Sequence, residues 1–242
     1  MDSNLEEKVI LAQTRLERVL DHLLLLIDLH EINQISYGTN FEVPTQIARS
    51  FRIVSSSLYK YELIRLYALW DIGDGEEESL SVVAKHAADK NVRRRLKEIE
   101  AQFWNRSVDL DAEDLETEKL ICDSENHFGA ERAIEMDELL EGALLRIEEI
   151  KKSPALQALK ENRDKFLAHA LNKSRAEIKN GGIRPWSRGM ERELIDASVS
   201  IASDLLASVG KKSFDLDAQR EKAAARAVSF WSSFSRKQIS PF

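Results

Sequence analysis

In the stretch Asn162-Arg163-Asp164-Lys165-Phe166-Leu167-Ala168-His169-Ala170, an arginine occupies a position that the surrounding pattern reserves for an apolar residue. Ser153-Pro154 reads as an N-cap followed by a first helical residue, and the spacing predicts a helix running to about Lys173. At about 100° per residue, Leu156, Leu159, Phe166, Leu167 and Ala170 gather on one arc, with Arg163 at its middle. Asn162, His169 and Lys173 fall on the polar shoulder of that arc. A guanidinium turned into an apolar face is costly unless it is paired or serves an anion. Two readings are open: a site that binds an anion beside an imidazole, or an arginine that anchors a carboxylate from a neighbouring helix. Spacing does not choose between them, because Arg15 and His22 repeat a similar interval.

The elements that must position this segment read as helices throughout. Nine glycines and four prolines are few for 242 residues, which favours long uninterrupted helices. The first is expected over about residues 4–35. Its Leu5, Val9, Ala12, Leu16, Val19, Leu23 and Leu26 follow alternating steps of four and three, with His30 at the next seam position. Ser36-Tyr37-Gly38-Thr39-Asn40 breaks it. A second helix is expected from Pro44 to Asp71, with Ile47, Phe51, Val54, Leu58, Tyr61, Ile64 or Arg65, and Leu69 inward. Shorter pieces follow at residues 79–88 and 91–104, the latter carrying Arg93-Arg94-Arg95 and Lys97 as a solvated basic face. A helix over 131–151 should bury Ile134, Leu139 or Leu140, Leu144 or Leu145, and Ile147. After the Arg163 helix comes a loop carrying Lys179, Arg184 and Arg188, then closing helices over 190–209 and 215–237. Phe230, Trp231 and Phe234 in the last one suit core packing or a dimer contact better than base stacking. No stretch alternates with period two for long enough to be a strand, so the fold class is all-α, a multi-helix bundle. The organisation expected is a single helical domain over 1–242. The long first helix and the helices of 190–237 pack on a core of about 44–175.

Composition narrows the function classes. Hydrophobic residues at 43% and charged residues at 32% are ordinary for a globular chain with many exposed helix faces. The single cysteine, Cys122, excludes an internal disulfide framework and leaves no zinc-ligand pattern, and is expected as a buried or half-buried thiol. A net charge of −7 argues against a salt-sensitive coat on DNA but leaves room for a local basic groove. Gly73-Asp74-Gly75-Glu76-Glu77-Glu78 follows no strand and carries three carboxylates, so it is no phosphate cradle. The acidic run Asp109, Asp111, Glu113, Asp114, Glu116 and Glu118 lacks the glycine and terminal glutamate of a calcium loop and reads as a linker or helix start. The apolar run of residues 23–27 is too short to span a bilayer, and the opening residues lack a signal peptide's basic start and apolar middle. A cytoplasmic protein is expected, with neither membrane nor cofactor.

The string Arg163-Asp164-Lys165-Phe166-Leu167-Ala168-His169 resembles the signature of the HEPN superfamily (higher eukaryotes and prokaryotes nucleotide-binding), closest to its abortive-infection AbiU-like branch. The stretch from Leu58 to Asp71, with Leu63, Arg65-Leu66, Leu69 and Trp70-Asp71, and the helix start at Ser79-Leu80-Ser81 are similar to that branch too. The similarity covers roughly residues 50–175. Arg15 and His22 lack the polar follower and the Ala-His ending.

The resemblance implies a helical bundle that dimerises with its two Arg/His helices facing each other. It also implies a metal-independent endoribonuclease, a toxin or phage-defence effector. By position, Arg163 and His169 would be the catalytic pair, Asp164 would orient the arginine or the substrate, and Asn162 and Lys165 would support them. Lys173, Arg184 and Arg188 would line the rim and bind RNA. The chemistry suits these residue types. RNA carries its own 2′-hydroxyl nucleophile, an imidazole can take or give a proton near neutrality, and a guanidinium forks onto phosphate oxygens. One histidine per chain cannot easily be both acid and base, and a homodimer with the site at its interface supplies two. The products would be a 2′,3′-cyclic phosphate and a 5′-hydroxyl. The positions after His169 are Ala170, Leu171, Asn172 and Lys173, so neutralisation by modification of a tyrosine there is not expected. An antitoxin protein would be a natural partner. The alternatives are a non-catalytic HEPN-like module that binds nucleotide, nucleic acid or protein, with Arg163 held by Glu62 or Asp71, and a helical adaptor working through its first helix.

Overall fold

The heptad seam of the first helix is the axis of the core. In the computed structural model, which describes residues 3–38, 43, 45–71, 79–104, 115–163, 186–209 and 214–233, helix α1 covers Ser3–Gly38. Val9, Ala12, Leu16, Val19, Leu23, Leu26 and His30 are all buried along it. A stripe with that repeat must be covered on several sides, and α1 is. It packs against α2 (Ala48–Trp70), α3 (Leu80–Ala87), α4 (Lys90–Trp104), α7 (Met190–Val209) and α8 (Leu216–Ser232). Helix α5 (Leu115–Lys151) lies across α4 and α7, and α6 (Pro154–Asn162) wedges against α2, α5 and α7. All regular structure among the described residues is helical, as the absence of period-two alternation implied. No helix among them is long and apolar enough to cross a membrane.

Helix starts follow local chemistry. Ser79, Ser153 and Asp215 each hold an extended backbone, and their side-chain oxygens accept from the amides of Val82 (3.2 Å), Leu156 (3.2 Å) and Ala218 (2.9 Å). Each cap satisfies one of the amides that a helix N-terminus leaves without a partner, contributing about 1 kcal/mol. Helix α1 runs past residue 35 to Gly38, and the Ser36 hydroxyl donates to the Asn33 carbonyl at 2.9 Å within that last turn. Two tryptophans stitch distant helices together. The Trp70 indole donates to Ser198 Oγ at 2.9 Å, and that hydroxyl donates to the Leu194 carbonyl. Trp231, fully buried, donates to the Ile32 carbonyl at 2.6 Å and packs on Phe51, which places the end of α8 in the core as its aromatics suggested. Phe230 is exposed, and Phe234 lies outside the described residues.

Three expectations fail on which face of a helix turns inward. On α2, Val54 and Tyr61 are exposed, and Arg65 rather than Ile64 is the half-buried one of that pair, whereas Ser55, Glu62, Leu63, Leu66, Leu69 and Trp70 are buried. The helix is rotated because α1 presents polar partners that make burial of Glu62 affordable, and Trp70 gains both burial and a hydrogen bond. Helix α5 begins at Leu115 rather than near 131, and its Ile134 is exposed, while Leu140 and Ile147 are buried and Leu144, not Leu145, packs on the core. Cys122 is exposed, contrary to its usual preference, because it sits on early turns of α5 that are mostly open to solvent. Firm contact with α4 is evident at Gly129, where a β-carbon would come within 2.8 Å of the Ala101 carbonyl oxygen.

The basic cluster of α4 is absorbed by ion pairs. Arg93 pairs with Asp137 and Glu141, Lys97 with Asp137, and Arg95 with Glu6 at 2.7 Å. The hydrogen bond from Arg93 holds the Asp137 carboxyl below its usual range against the opposing effect of burial, with Lys97 adding to it. Helix α5 is tied to α7 by Arg146, which pairs with Asp204 and donates to Ser200 Oγ at 2.9 Å. The charged faces thus join helices rather than form a basic groove.

Candidate functional site

Arg163 follows directly on α6 with helical backbone angles, φ −57° and ψ −53°. The helix is capped by Ser153, begins with Pro154, and buries Leu156 and Leu159 completely. Arg163, one turn beyond Leu159, therefore projects from the arc that α6 buries, as the sequence required. It emerges at the edge of that arc, its side chain 35% exposed. There α2 supplies two partners. The guanidinium carbon lies 3.8 Å from the centre of the Tyr67 ring, and Nη1 is 3.9 Å from Asp71 Oδ2. Tyr67 and Asp71 are one turn apart, and the Tyr67 hydroxyl reaches Asp71 Oδ1 at 3.5 Å. A guanidinium stacked on a ring keeps its N–H edge in the plane, where it can fork onto an oxyanion. An ion pair this long and this exposed is worth roughly 0–1 kcal/mol.

Asn162 takes a bland role. Its Nδ2 donates to the Ala158 carbonyl at 2.9 Å, within its own helix. Asp164, Lys165, His169, Lys173 and Arg184 lie outside the described residues. Arg188 is described and lies elsewhere, on the turn before α7, where it lines a pocket with Asn33, Tyr59, Glu62, Glu191 and Arg192. Of the residues named from sequence, the structure thus joins Arg163 to Asp71 and places Arg188 with a different group. Glu62, an expected partner for Arg163, is committed to α1 instead: its Oε1 is 2.8 Å from His30 Nδ1, and its Oε2 accepts from Asn33 Nδ2 at 2.6 Å. With the proton on Nδ1, His30 donates to Glu62 and its Nε2 can accept from Gln34 Nε2 at 3.4 Å. His30 in a leucine seam was the signal for this cluster: a histidine buried there requires a partner on the helix it faces.

Tyr59 adjoins the same cluster. Its hydroxyl accepts from the Trp186 indole at 2.8 Å. Burial, opposed by that bond and reinforced by the charges of Glu191 and Glu62, pushes the phenol up to about 12. It therefore stays protonated at any ordinary pH. The Arg15/His22 pair of α1 makes no second site of the same kind: His22 is buried, and Arg15 contacts His86 on α3.

This arginine and the bundle around it fall within the span of a described family. The profile of the HEPN AbiU2 family, AbiU2, matches residues 12–230, from within α1 to the later turns of α8. The chain belongs to that family. The match is wider than residues 50–175, so the first and last helices are part of the family pattern. No curated protein and no solved structure gives a significant match.

Proposed function

We propose that this chain is a HEPN-type endoribonuclease acting in abortive infection, in which Arg163 and His169 cleave RNA by 2′-hydroxyl attack. The observation that carries the reading is the placement of Arg163. It is an arginine on an otherwise buried arc, brought to the surface at the end of α6 and stacked on Tyr67 at 3.8 Å. A cation so placed can neutralise charge on a phosphoryl oxygen, a contribution of roughly 100- to 1,000-fold to the rate. His169 transfers the proton, worth roughly 100- to 10,000-fold. Asp164 and Lys165 support the pair, and Lys173 and Arg184 guide the RNA.

A homodimer completes the acid–base set. Its support is the stripe of exposed apolar residues Ile53, Val54, Tyr61 and Ile64 on α2. That stripe leads toward Tyr67 and Asp71 on the same helix, so a second copy seated there brings two Arg163 sites together. An antitoxin protein that covers the stripe would silence the enzyme by the same geometry.

The Asp71 contact favours one competing reading, a binding module in which the carboxylate neutralises Arg163. Cleavage of total RNA and tRNA in EDTA separates the two. With fold and dimer content matched, wild type should leave 2′,3′-cyclic phosphate ends and His169→Ala should not. Equal cleavage by both, or none by wild type, rejects the ribonuclease reading in favour of the binding module.

A further inference from the structure

The corner where α1, α3 and the start of α4 meet gathers more cations than the fold neutralises. Lys8 and Arg15 stand two turns apart on one face of α1, and Lys85 and His86 lie in the last turn of α3. Arg15, half-buried, turns Nη1 onto His86 Nε2 across 71 residues of chain. That nitrogen accepts the guanidinium proton only while the imidazole is neutral, with its own proton on Nδ1. Burial first, then the Arg15 and Lys85 charges, lower the His86 pKa from 6.5 and so favour that neutral form. The carboxylate whose charge reaches His86 is Asp89, on which Lys8 also acts from α1. Asp89 is already committed: its Oδ1 accepts from the Asn91 and Val92 amides at 2.9 and 3.3 Å, capping α4. Among the described residues no carboxylate is in ion-pair contact with Lys8, Arg15 or Lys85, whereas Arg93, Arg95 and Lys97 on the adjoining α4 each have one. Nor do these cations complete the end of α3, where the Ala84 and His86 carbonyls accept from the Ala88 and Asp89 amides.

The surplus of charge selects the ligand. Lys8, Arg15 and Lys85 are permanent cations against the single carboxylate of Asp89, which leaves two positive charges over in a chain of net charge −7. A dianion matches that surplus, whereas a carboxylate or a phosphodiester, each with one charge, does not. We propose that this corner binds a phosphate dianion, free or as the terminal phosphate of a nucleotide. A phosphate monoester carries about −1.5 to −2 charges near pH 7 and presents three acceptor oxygens, enough for all the donors here. Arg15 forks onto two of those oxygens, and Lys8 and Lys85 flank it as point charges. Arg15 then gives up His86 Nε2, and the freed imidazole takes up a proton and donates it toward the phosphate. The site shares no residue with Arg163, Tyr67 and Asp71 and does not rest on the ribonuclease reading.

Calorimetric titration of the full chain with inorganic phosphate, adenosine 5′-monophosphate, adenosine and acetate tests this. Phosphate or the nucleotide should bind saturably, roughly tenfold or more tighter than adenosine, which lacks the dianion, or acetate, which carries one charge. Equal affinity for the first two names free phosphate as the source, and a clear preference for the nucleotide names its terminal phosphate. Arg15→Gln should weaken binding by roughly 10- to 100-fold, and Lys85→Gln, on an exposed side chain that leaves the fold intact, severalfold. Arg163→Ala should leave it unchanged. Sulfate, a dianion that does not titrate near neutrality, should bind wild type with proton uptake, read as a dependence of the heat on the buffer's ionisation enthalpy. His86→Gln should lose that uptake. Saturable binding by neither phosphate nor the nucleotide, or equal binding of adenosine or acetate, overturns the proposal. So does affinity unchanged in Lys85→Gln, affinity lost in Arg163→Ala, or sulfate binding without proton uptake.

Discussion

Helix α2 carries two polar constellations that differ in every physical respect except their helix. Around Glu62 the carboxylate is fully buried and held by His30 and Asn33 at 2.8 and 2.6 Å. Around Tyr67 and Asp71, a cation from α6 is half-buried and its ion pair is 3.9 Å long. The first is built from short bonds in a low dielectric, where each partner depends on the others. The second is built from a ring face and a screened charge, which let an arginine exchange one anion for another at little cost. Burial thus marks the cluster that the fold cannot spare, and partial exposure marks the one available for chemistry.

The largest expected effect falls on the buried cluster. Glu62→Ala removes the acceptor of both His30 and Asn33 and should cost roughly 3 kcal/mol in chemical denaturation. A loss under about 1 kcal/mol would mean the junction is solvated and the contrast is not real. Next comes Arg163→Ala. RNA cleavage should fall by roughly 100-fold or more while stability changes by less than about 1 kcal/mol. Arg163→Lys should recover only part of that loss, because an ammonium cannot fork onto two phosphate oxygens. A variant that unfolds instead would move Arg163 into the structural class with Glu62. Asp71→Asn should do less still, shifting stability by no more than about 1 kcal/mol and cleavage by roughly threefold at most. A greater loss of cleavage would make Asp71 part of the machinery.

The smallest effect lies outside both regions and tests whether pH acts through them. Burial first, then the neighbouring Arg15 and Lys85 charges, lower the His86 pKa from 6.5. The unfolded chain therefore takes up the proton more readily. The stability this group contributes is intact above its unfolded value and declines as pH falls through 6.5 toward the lower folded value. Wild type should lose more stability than His86→Gln between about pH 7.5 and about pH 5.5. Equal losses would place the acid sensitivity elsewhere.

Much of this architecture is legible in the sequence. The seam of α1, the cap Ser153, and the inward Leu140 and Ile147 all follow from periodicity and local hydrogen bonding, which act within a few residues. The faces of α2 and the N-terminal part of α5 were not legible. An apolar stripe specifies a helix's inner face only if nothing else competes for burial, and on α2 the polar partners of Glu62 compete from another helix. Arg163 could be singled out because a guanidinium on an apolar arc violates a local rule, whereas Arg15 and His86 break no rule in their own segments.

The helical class, the family and the anomaly at Arg163 are readable from the chain alone, because they depend on residue type and short-range spacing. The tertiary structure alone decided that Arg163 meets Tyr67 and Asp71, that Glu62 belongs to His30 and Asn33, and that Arg188 joins a different pocket. Those pairings span 29 to 32 residues on one side and far longer separations on the other. They are set by how whole helices pack, since an ion pair or hydrogen bond depends on distances of a few ångströms that only packing can fix.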